Sequence, residues 1–287
     1  MAVTEKNKTE DGVLYLVGTP IGNLADISER AIKVLSEVSF VAAEDTRNSA
    51  KLLSCLGIKA ELVSYFEHNK KASGERIVAR LLGGESCALV TDAGMPAISD
   101  PGEDLVRLCA DAGIKVTVVP GACAAVSALA LSGLGTGRFV FEGFLSANKT
   151  ERRARLEELR NEQRTLIIYE APHKLKKTLL DMAEIFGNDR RISLCRELTK
   201  LNEEVMRTTV GAAVSYYEEN EPRGEFVLII NGTKEVIESV NPLLCLSPEE
   251  HVEHYIGLGM KKMDAIKAAA KDRGVSKSEL YSELVKD

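Results

Sequence analysis

The sequence predicts an α/β protein: two α/β domains followed by a small helical module. Three observations lead there. Short apolar runs alternate with amphipathic stretches over the first 120 residues, the pattern changes to strands in series after Pro120, and the last forty residues read as three short helices. A length of 287 residues suits two domains, or one large domain with an appendage. The expected boundaries are 12–120, 121–235 and 245–287.

VLYLVG, residues 13–18, reads as the first strand. In DISERAIKVLSEV (26–38), Ile27, Ala31, Val34, Leu35 and Val38 fall on one face of a helix. SFVAAED (39–45), AELVSYF (60–66), CALVTD (87–92) and KVTVVPG (115–121) follow as strands. RNSAKLLSCLG (47–57), GERIVARLLGG (74–84) and PGEDLVRLCADAG (101–113) are the helices between them. Near-continuous apolar strands alternating with helices signal a parallel sheet covered on both faces.

Past Pro120, ACAAVSALALSGLG (122–135) is a helix of small residues suited to close packing. RFVFEGF (138–144), TLIIYE (165–170), RISLCREL (191–198), EEVMRTTV (203–210) and GEFVLIING (224–232) read as five strands. Helices at about 149–162 and 173–186 interrupt the first three. Strands in series imply an antiparallel or mixed sheet and hence a second domain. Residues 236–248 form a linker. EEHVEHYIGLG, KKMDAIKAAAKDRG and SKSELYSELVK then give a helix-turn-helix-like appendage, with Ser247 or Ser276 as N-caps and Gly259 and Gly274 as stops.

Composition narrows the function. No apolar run reaches the roughly 18 residues of a membrane span, and the polar N-terminus carries no secretory pattern, so a cytoplasmic protein without a membrane partner is expected. Cys55, Cys87, Cys109, Cys123, Cys195 and Cys245 are scattered, without C-x-x-C or clustered His, so no metal is expected and the thiols read as small buried hydrophobes. Net charge is −6, but residues 149–200 hold 13 Lys/Arg against 9 acids, +4 in a chain otherwise at −10. Such asymmetry marks either a local anionic partner or solvated helix faces.

In open α/β sheets ligands bind beyond the carboxyl ends of the strands. Those positions hold GTPIGNL (18–24), AAEDTR (42–47), TDAGMPAISDPG (91–102), VPGACAA (119–125), YEAPHK (169–174), RELTK (196–200) and RGEF (223–226). Each is rich in Gly, Pro or charge, and together they read as the walls of one cleft. P-loop, Rossmann, G-x-S-x-G and H-E-x-x-H signatures are missing. In TDAGMPAISDPG, Gly94, Pro96, Pro101 and Gly102 force an irregular backbone whose N–H and C=O groups face a ligand. Asp92 can accept from ribose hydroxyls or an amine, and Asp100 can cap the following helix.

GTPIGNL, EDTR, TDAGMPAISDPG, VPGACA, EGF, YEAPH, RELTK and RGE, in this order over residues 14–233, resemble the tetrapyrrole-methylase-like (class III) S-adenosylmethionine-dependent methyltransferases. Within them the likeness is to the branch that methylates the ribose 2′-oxygen of a cytidine in the 16S rRNA decoding centre. The resemblance implies S-adenosyl-L-methionine bound in a cleft between two α/β domains of the tetrapyrrole methylase type. Carried over, Pro20, Thr91, Asp92, Ala93, Ile98, Cys123, Ala124, Tyr169 and Glu170 are the cofactor-binding residues. LSANK (145–149) replaces the usual LP-x-K, and Met95 replaces a common Thr.

A ribose hydroxyl is a weak acid, so a base or a neighbouring cation assists its methylation. Glu44, Asp45 and Lys200 are the expected catalytic residues; Arg47, Arg152, Arg153 and Arg196 are expected to hold phosphates. The basic residues of KTERRARLEELR (149–160) and HKLKK (173–177) extend that surface, and the tail adds Lys261, Lys262, Lys267, Lys271 and Arg273. The implied partners are 16S rRNA within the small ribosomal subunit and a second copy of the chain, as a homodimer. Two alternatives stay open at this point: methylation of a tetrapyrrole or other small molecule, and a non-catalytic RNA-binding assembly factor.

Overall fold

A computed structural model describes residues 8–233 and 242–284; the expected linker at 236–248 and the outer domain ends at 235 and 287 lie largely outside them. The chain divides between residues 234 and 235 into two compact units.

The first unit opens with five parallel strands: β1 Val13–Val17, β2 Phe40–Ala43, β3 Glu61–Ser64, β4 Cys87–Val90 and β5 Lys115–Val119, in the order β3-β2-β4-β1-β5. Strand alternation sends their side chains into two cores. Val13, Tyr15, Val17, Val41 and Val90 pack on α1 (Glu29–Glu37) and α2 (Thr46–Cys55). Leu14, Phe40 and Leu89 pack on α3 (Lys70–Leu82) and α4 (Gly102–Asp111). Helix α1 thus leaves β1 towards one face while α4 leaves the adjacent β4 towards the other. That divergence opens a crevice beyond the carboxyl ends of β1 and β4, the topological switch point where such sheets bind ligands.

After α5 (Ala124–Leu131) comes a mixed sheet of β6 Phe139–Phe144, β7 Thr165–Glu170, β8 Arg191–Arg196, β9 Glu204–Thr209 and β10 Phe226–Ile230, in the order β6-β7-β10-β8-β9. Only β6 and β7 pair in parallel. One face carries α6 (Lys149–Leu159), α7 (Pro172–Phe186) and α8 (Val210–Glu219) over Leu166, Ile168, Leu194 and Leu228. The other face sets Ile167, Cys195, Val227 and Ile229 against Ala125, Ala128 and Leu129 of α5, where the small side chains allow the close approach that the sequence suggests.

All ten expected strands are present, but the last two are not in series. Helix α8 lies between β9 and β10, burying Val210, Ala213 and Tyr217 at helical spacing, with the Thr209 side chain accepting from the Ala212 N–H. The β-branched run ahead of Gly211 reads as strand and hides its start. Helix α3 begins at Lys70, a turn before Gly74, because Ser73 and Gly74 are themselves buried against the sheet. Helix α5 is shorter than expected, giving way at Ser132 and Gly133, whose φ is +71°.

In the second unit α9 (Pro248–Gly257), α10 (Lys262–Arg273) and α11 (Lys277–Leu284) enclose Val252, Ile266, Ala269, Ala270 and Leu280. Ser247 forms a capping box with Glu250, and Gly274 takes the left-handed conformation (φ +68°) at the end of α10. Among the described residues no helix is long and apolar enough to cross a membrane, and no group of three or more His, Cys, Asp or Glu could hold a metal ion. Cys87, Cys109 and Cys195 are buried as expected. Cys55 is exposed and Cys123 half-buried, which corrects the uniform reading of the thiols; the Cys245 side chain lies outside the described residues.

Candidate active site

The carboxyl ends of the first sheet and the facing loops of the second enclose a cavity of about 600 Å³, within the range that takes a cofactor-sized ligand. Its walls come from both sheets: Glu44, Thr91–Met95, Ile98–Asp100 and the Cys123–Ala124 corner on one side, Phe144, Tyr169–His173, Leu198, Lys200 and Glu225–Val227 on the other.

The crevice is built by close backbone approach. Thr19 N–H donates to the Gly94 carbonyl (2.9 Å) and Gly94 N–H returns to Thr19 (3.1 Å), binding the loops after β1 and β4 together. A Cβ on Gly18 would stand 2.7 Å from the Gly121 backbone, so a side chain there would wedge the loops apart. The sulfur of Met95 accepts from Gly121 N–H at 3.3 Å and lines the cavity, so the unusual methionine ties the third loop to the fourth. Pro20 itself does not line the cavity; its neighbour Ile21 does.

Loop 91–102 is held in a strained path, with Ala97 and Ser99 both at φ +65°. The Asp100 carboxylate offsets that strain by accepting from the N–H groups of Ala97 (3.0 Å), Ile98 (3.2 Å) and Gly102 (2.7 Å). Thr91 Oγ1 donates to Glu44 Oε2 (3.0 Å) and Asn48 Nδ2 to Asp92 Oδ2 (3.0 Å), so each of these two carboxylates is oriented by a neighbouring side chain.

From the second sheet, the Tyr169 hydroxyl accepts from Ala125 N–H (3.1 Å) in the first turn of α5, whose own N-cap residue, Cys123, makes no capping hydrogen bond. Burial pushes this phenol up to about 12. Glu197 and Thr199 adopt φ of +51° and +65°, and the turn they form presents Lys200. Lys200 Nζ lies 2.9 Å from both Glu197 Oε1 and Glu225 Oε2. Burial works against its charge, but hydrogen bonds to Glu197 and Glu225 outweigh it and raise its pKa above the ordinary lysine value. A Cβ on Gly22 would collide with Lys200 Cγ, so the lysine stem lies against the loop after β1 and joins the two halves of the site.

The cavity therefore brings together Glu44, Thr91, Asp92, Ala93, Ile98, Cys123, Ala124, Tyr169, Glu170 and Lys200 among the expected site residues. Asp45 and Glu170 are placed otherwise than expected. Asp45 lies outside the cavity and caps α2: it accepts from Arg47 N–H at 2.8 Å and pairs with the Arg47 guanidinium at 2.7 Å. The Arg47 side chain, then its backbone N–H, hold the Asp45 carboxyl down at about 2. Glu170 lines the cavity, but its buried carboxylate turns into α7, taking Thr178 Oγ1 (2.6 Å), Ala171 N–H (2.9 Å) and Lys174 Nζ (3.2 Å).

Arg152 is 3% exposed and bonded to Asp181 (2.7 Å) and the carbonyls of Ser146 and Ala147. It shares the inward stripe of α6 with Leu156 and Leu159, out of reach of any phosphate. Arg153 is paired with Asp181 and Glu184, and Arg196 with Glu204 at 3.0 Å, whereas the Arg47 side chain is 85% exposed. Phe144, His173, Leu198 and Glu225 were not singled out by the sequence; the last three sit in loops that it marked at strand ends, and Phe144 ends the expected strand at 138–144.

The family model of the Tetrapyrrole (Corrin/Porphyrin) Methylases matches residues 13–214. A protein of Halalkalibacterium halodurans named Ribosomal RNA small subunit methyltransferase I is 51% identical over 278 residues, 96% of each chain. One of Bacillus subtilis with the same name is 49% identical over 276 residues, 96% of this chain and 94% of its own. Among solved structures, a cobalamin biosynthetic enzyme, cobalt precorrin-4 methyltransferase, superposes with a TM-score of 0.58 at 18% identity, covering 77% of this chain and 95% of its own, a likeness of fold. The chain belongs to the tetrapyrrole (corrin/porphyrin) methylase family, and within it to the ribosomal RNA small subunit methyltransferase I group.

Proposed function

We propose that this chain transfers a methyl group from S-adenosyl-L-methionine to the ribose 2′-oxygen of a cytidine in the 16S rRNA decoding centre, acting in the cytoplasm on the small ribosomal subunit. The observation that carries the reading is one cavity at the strand ends, walled by both sheets, in a chain whose rRNA-methyltransferase relatives match it almost end to end. The donor set fits the cofactor. The main-chain N–H of Ala124 at the start of α5 suits a carboxylate, Asp92 suits an ammonium or ribose hydroxyls, and Ile21, Ile98 and Val227 suit an adenine. Thr91, Asp92, Ala93, Ile98, Cys123, Ala124 and Tyr169 would hold it directly, with Pro20 and Glu170 fixing the loops they sit in.

S-adenosylmethionine supplies a methyl already activated on a sulfonium centre. What remains for the protein is to align the hydroxyl and manage its proton. Lys200, kept charged by Glu197 and Glu225, stabilises the negative charge developing on the oxygen, and Glu44 takes the proton. Arg47 and Arg196 would meet the flanking phosphates. Exposed Val118 on the edge strand β5, and Val126 and Leu131 on α5, support a homodimer.

The test is methyl transfer from labelled S-adenosylmethionine to small subunits from a strain lacking this gene, with free 16S rRNA and a tetrapyrrole in parallel and the product mapped by mass spectrometry. One ribose methyl on a decoding-centre cytidine is the expected outcome. Label on the tetrapyrrole alone would overturn the reading, and subunit binding without cofactor binding would indicate an assembly factor instead.

A further inference from the structure

A bulge in β6 decides where Phe144 goes. Phe141 pairs with Ile167 and Gly143 with Ile168, so Glu142 is the extra residue, and Phe144 comes opposite Tyr169. Unbroken alternation would have set position 144 opposite Glu170, on the face covered by α6, α7 and α8. The bulge instead returns it to the face of Phe141 and Tyr169, where it lines the cavity. Gly143 permits this with a φ of +65° and the missing side chain that lets Ser99 Oγ approach to 2.9 Å of a would-be Cβ.

The ring is mounted rigidly yet left open. Tyr169 packs against it edge-on, centroids 5.4 Å apart, and the Lys174 ammonium stands 5.5 Å from its centroid. That ammonium is fixed in turn by Glu170 and the Leu145 carbonyl, each at 3.2 Å. At 58% exposure Phe144 is nonetheless the most exposed phenylalanine or tyrosine among the described residues, and Ile98, also on the cavity wall, is 49% exposed. The apolar residues deeper in the wall, Cys195, Phe226 and Val227, are all buried.

We propose that Phe144 is the stacking platform for the nucleobase of the nucleotide being methylated, with Ile98 adding apolar area at the cavity mouth; this rests on the rRNA methylation reading above. Drawing a ribose into a cavity pulls its nucleotide away from its stacked neighbours, and a base displaced in this way needs a new partner for its face. An aromatic at the open rim suits a group that arrives from solvent as part of a large substrate. Stacking accepts any base, so the platform positions the ribose without choosing sequence.

The experiment compares the full-length wild type with F144A, F144L and F144W. It measures kcat/KM on unmethylated small subunits and, separately, S-adenosylmethionine affinity by calorimetry. F144A is expected to lower kcat/KM by about 5- to 150-fold, the range for loss of one base–aromatic stack. F144L should fall between F144A and wild type, and F144W should recover wild-type efficiency, with cofactor affinity unchanged throughout. Should F144A not fold, F144L against F144W makes the same comparison. Unaltered kcat/KM in F144A and F144L overturns the platform. Loss of cofactor affinity in them assigns the ring to the cofactor instead, which also overturns it. A wild-type chain that binds cofactor but leaves subunits unlabelled overturns the methylation reading itself, an outcome the variants cannot produce.

Discussion

Glu44 and Asp45 are neighbouring carboxylates put to different uses by a helix start. Asp45 is the N-cap of α2 and is ion-paired with Arg47, which holds it at about 2 and makes it a poor proton acceptor at neutral pH. Glu44, one residue back at the end of β2, faces the cavity. Asp45→Asn is therefore expected to keep wild-type turnover, since Asn caps as well as Asp. Glu44→Gln should lose about 10²–10⁴-fold in kcat, the contribution of a general base, and Lys200→Met about 10²–10³-fold, that of a lost charge-stabilising donor. Single-turnover methyl transfer checks all three; equal losses in Asp45→Asn and Glu44→Gln would return Asp45 to the chemistry. The pH signature of the cap is separate. A depressed carboxyl stabilises the fold fully above its ordinary value of 3.8 and loses that effect as pH falls through about 2. The deficit in melting temperature of Asp45→Ala should thus hold steady from neutral pH down to about 4 and close below it.

Loop 91–102 is the element on which cofactor binding depends most, because its path is unfavourable without Asp100. Two non-glycine residues at φ +65° persist there because one carboxylate holds three N–H groups. Asp100→Ala should weaken S-adenosylmethionine binding at least about tenfold, since one charge-assisted hydrogen bond is worth about 1.5–3 kcal/mol. The sheet beneath does not depend on these bonds, so calorimetry should register a loss that thermal melting hardly sees; unchanged affinity would mean that the loop holds its shape without Asp100. The presence of this loop was readable in its glycines and prolines, and the ten strands in their apolar runs, because backbone geometry and burial leave direct marks on residue type. What each side chain does at the site was less readable. Glu170 ends a strand at the cavity yet turns into α7, Arg152 looks basic and exposed but sits on the buried stripe of α6, and the bulge that redirects Phe144 has only Gly143 as its signature. In each, partners on another element (Thr178, Asp181, Ser99) decide the outcome, and local pattern does not name them.

Over the whole molecule, charge and architecture divide the work unevenly. The basic excess of residues 149–200 is largely met by acids outside that stretch: Arg155 pairs with Glu142, Lys176 with Glu221, Arg196 with Glu204 and Lys200 with Glu225. The net positive stretch therefore measures internal ion pairing more than a surface for phosphates, and the acidic total says little about partners. Architecture is more informative. Every described residue lining the cavity lies between Ile21 and Val227, in the first compact unit, while the helices after residue 241 close a core of their own around Ile266, Ala269 and Leu280. A chain ending at residue 234 thus keeps all the cavity walls, both sheets and the ion pairs that orient Lys200. It is expected to bind S-adenosylmethionine with the affinity of the full chain, by calorimetry, and to melt as cooperatively, by circular dichroism. If the shortened chain binds cofactor normally but methylates subunits poorly, the helical unit serves substrate engagement. If it loses cofactor affinity while still melting cooperatively, the second unit shapes the cavity from outside, and the independence argued from the two cores fails.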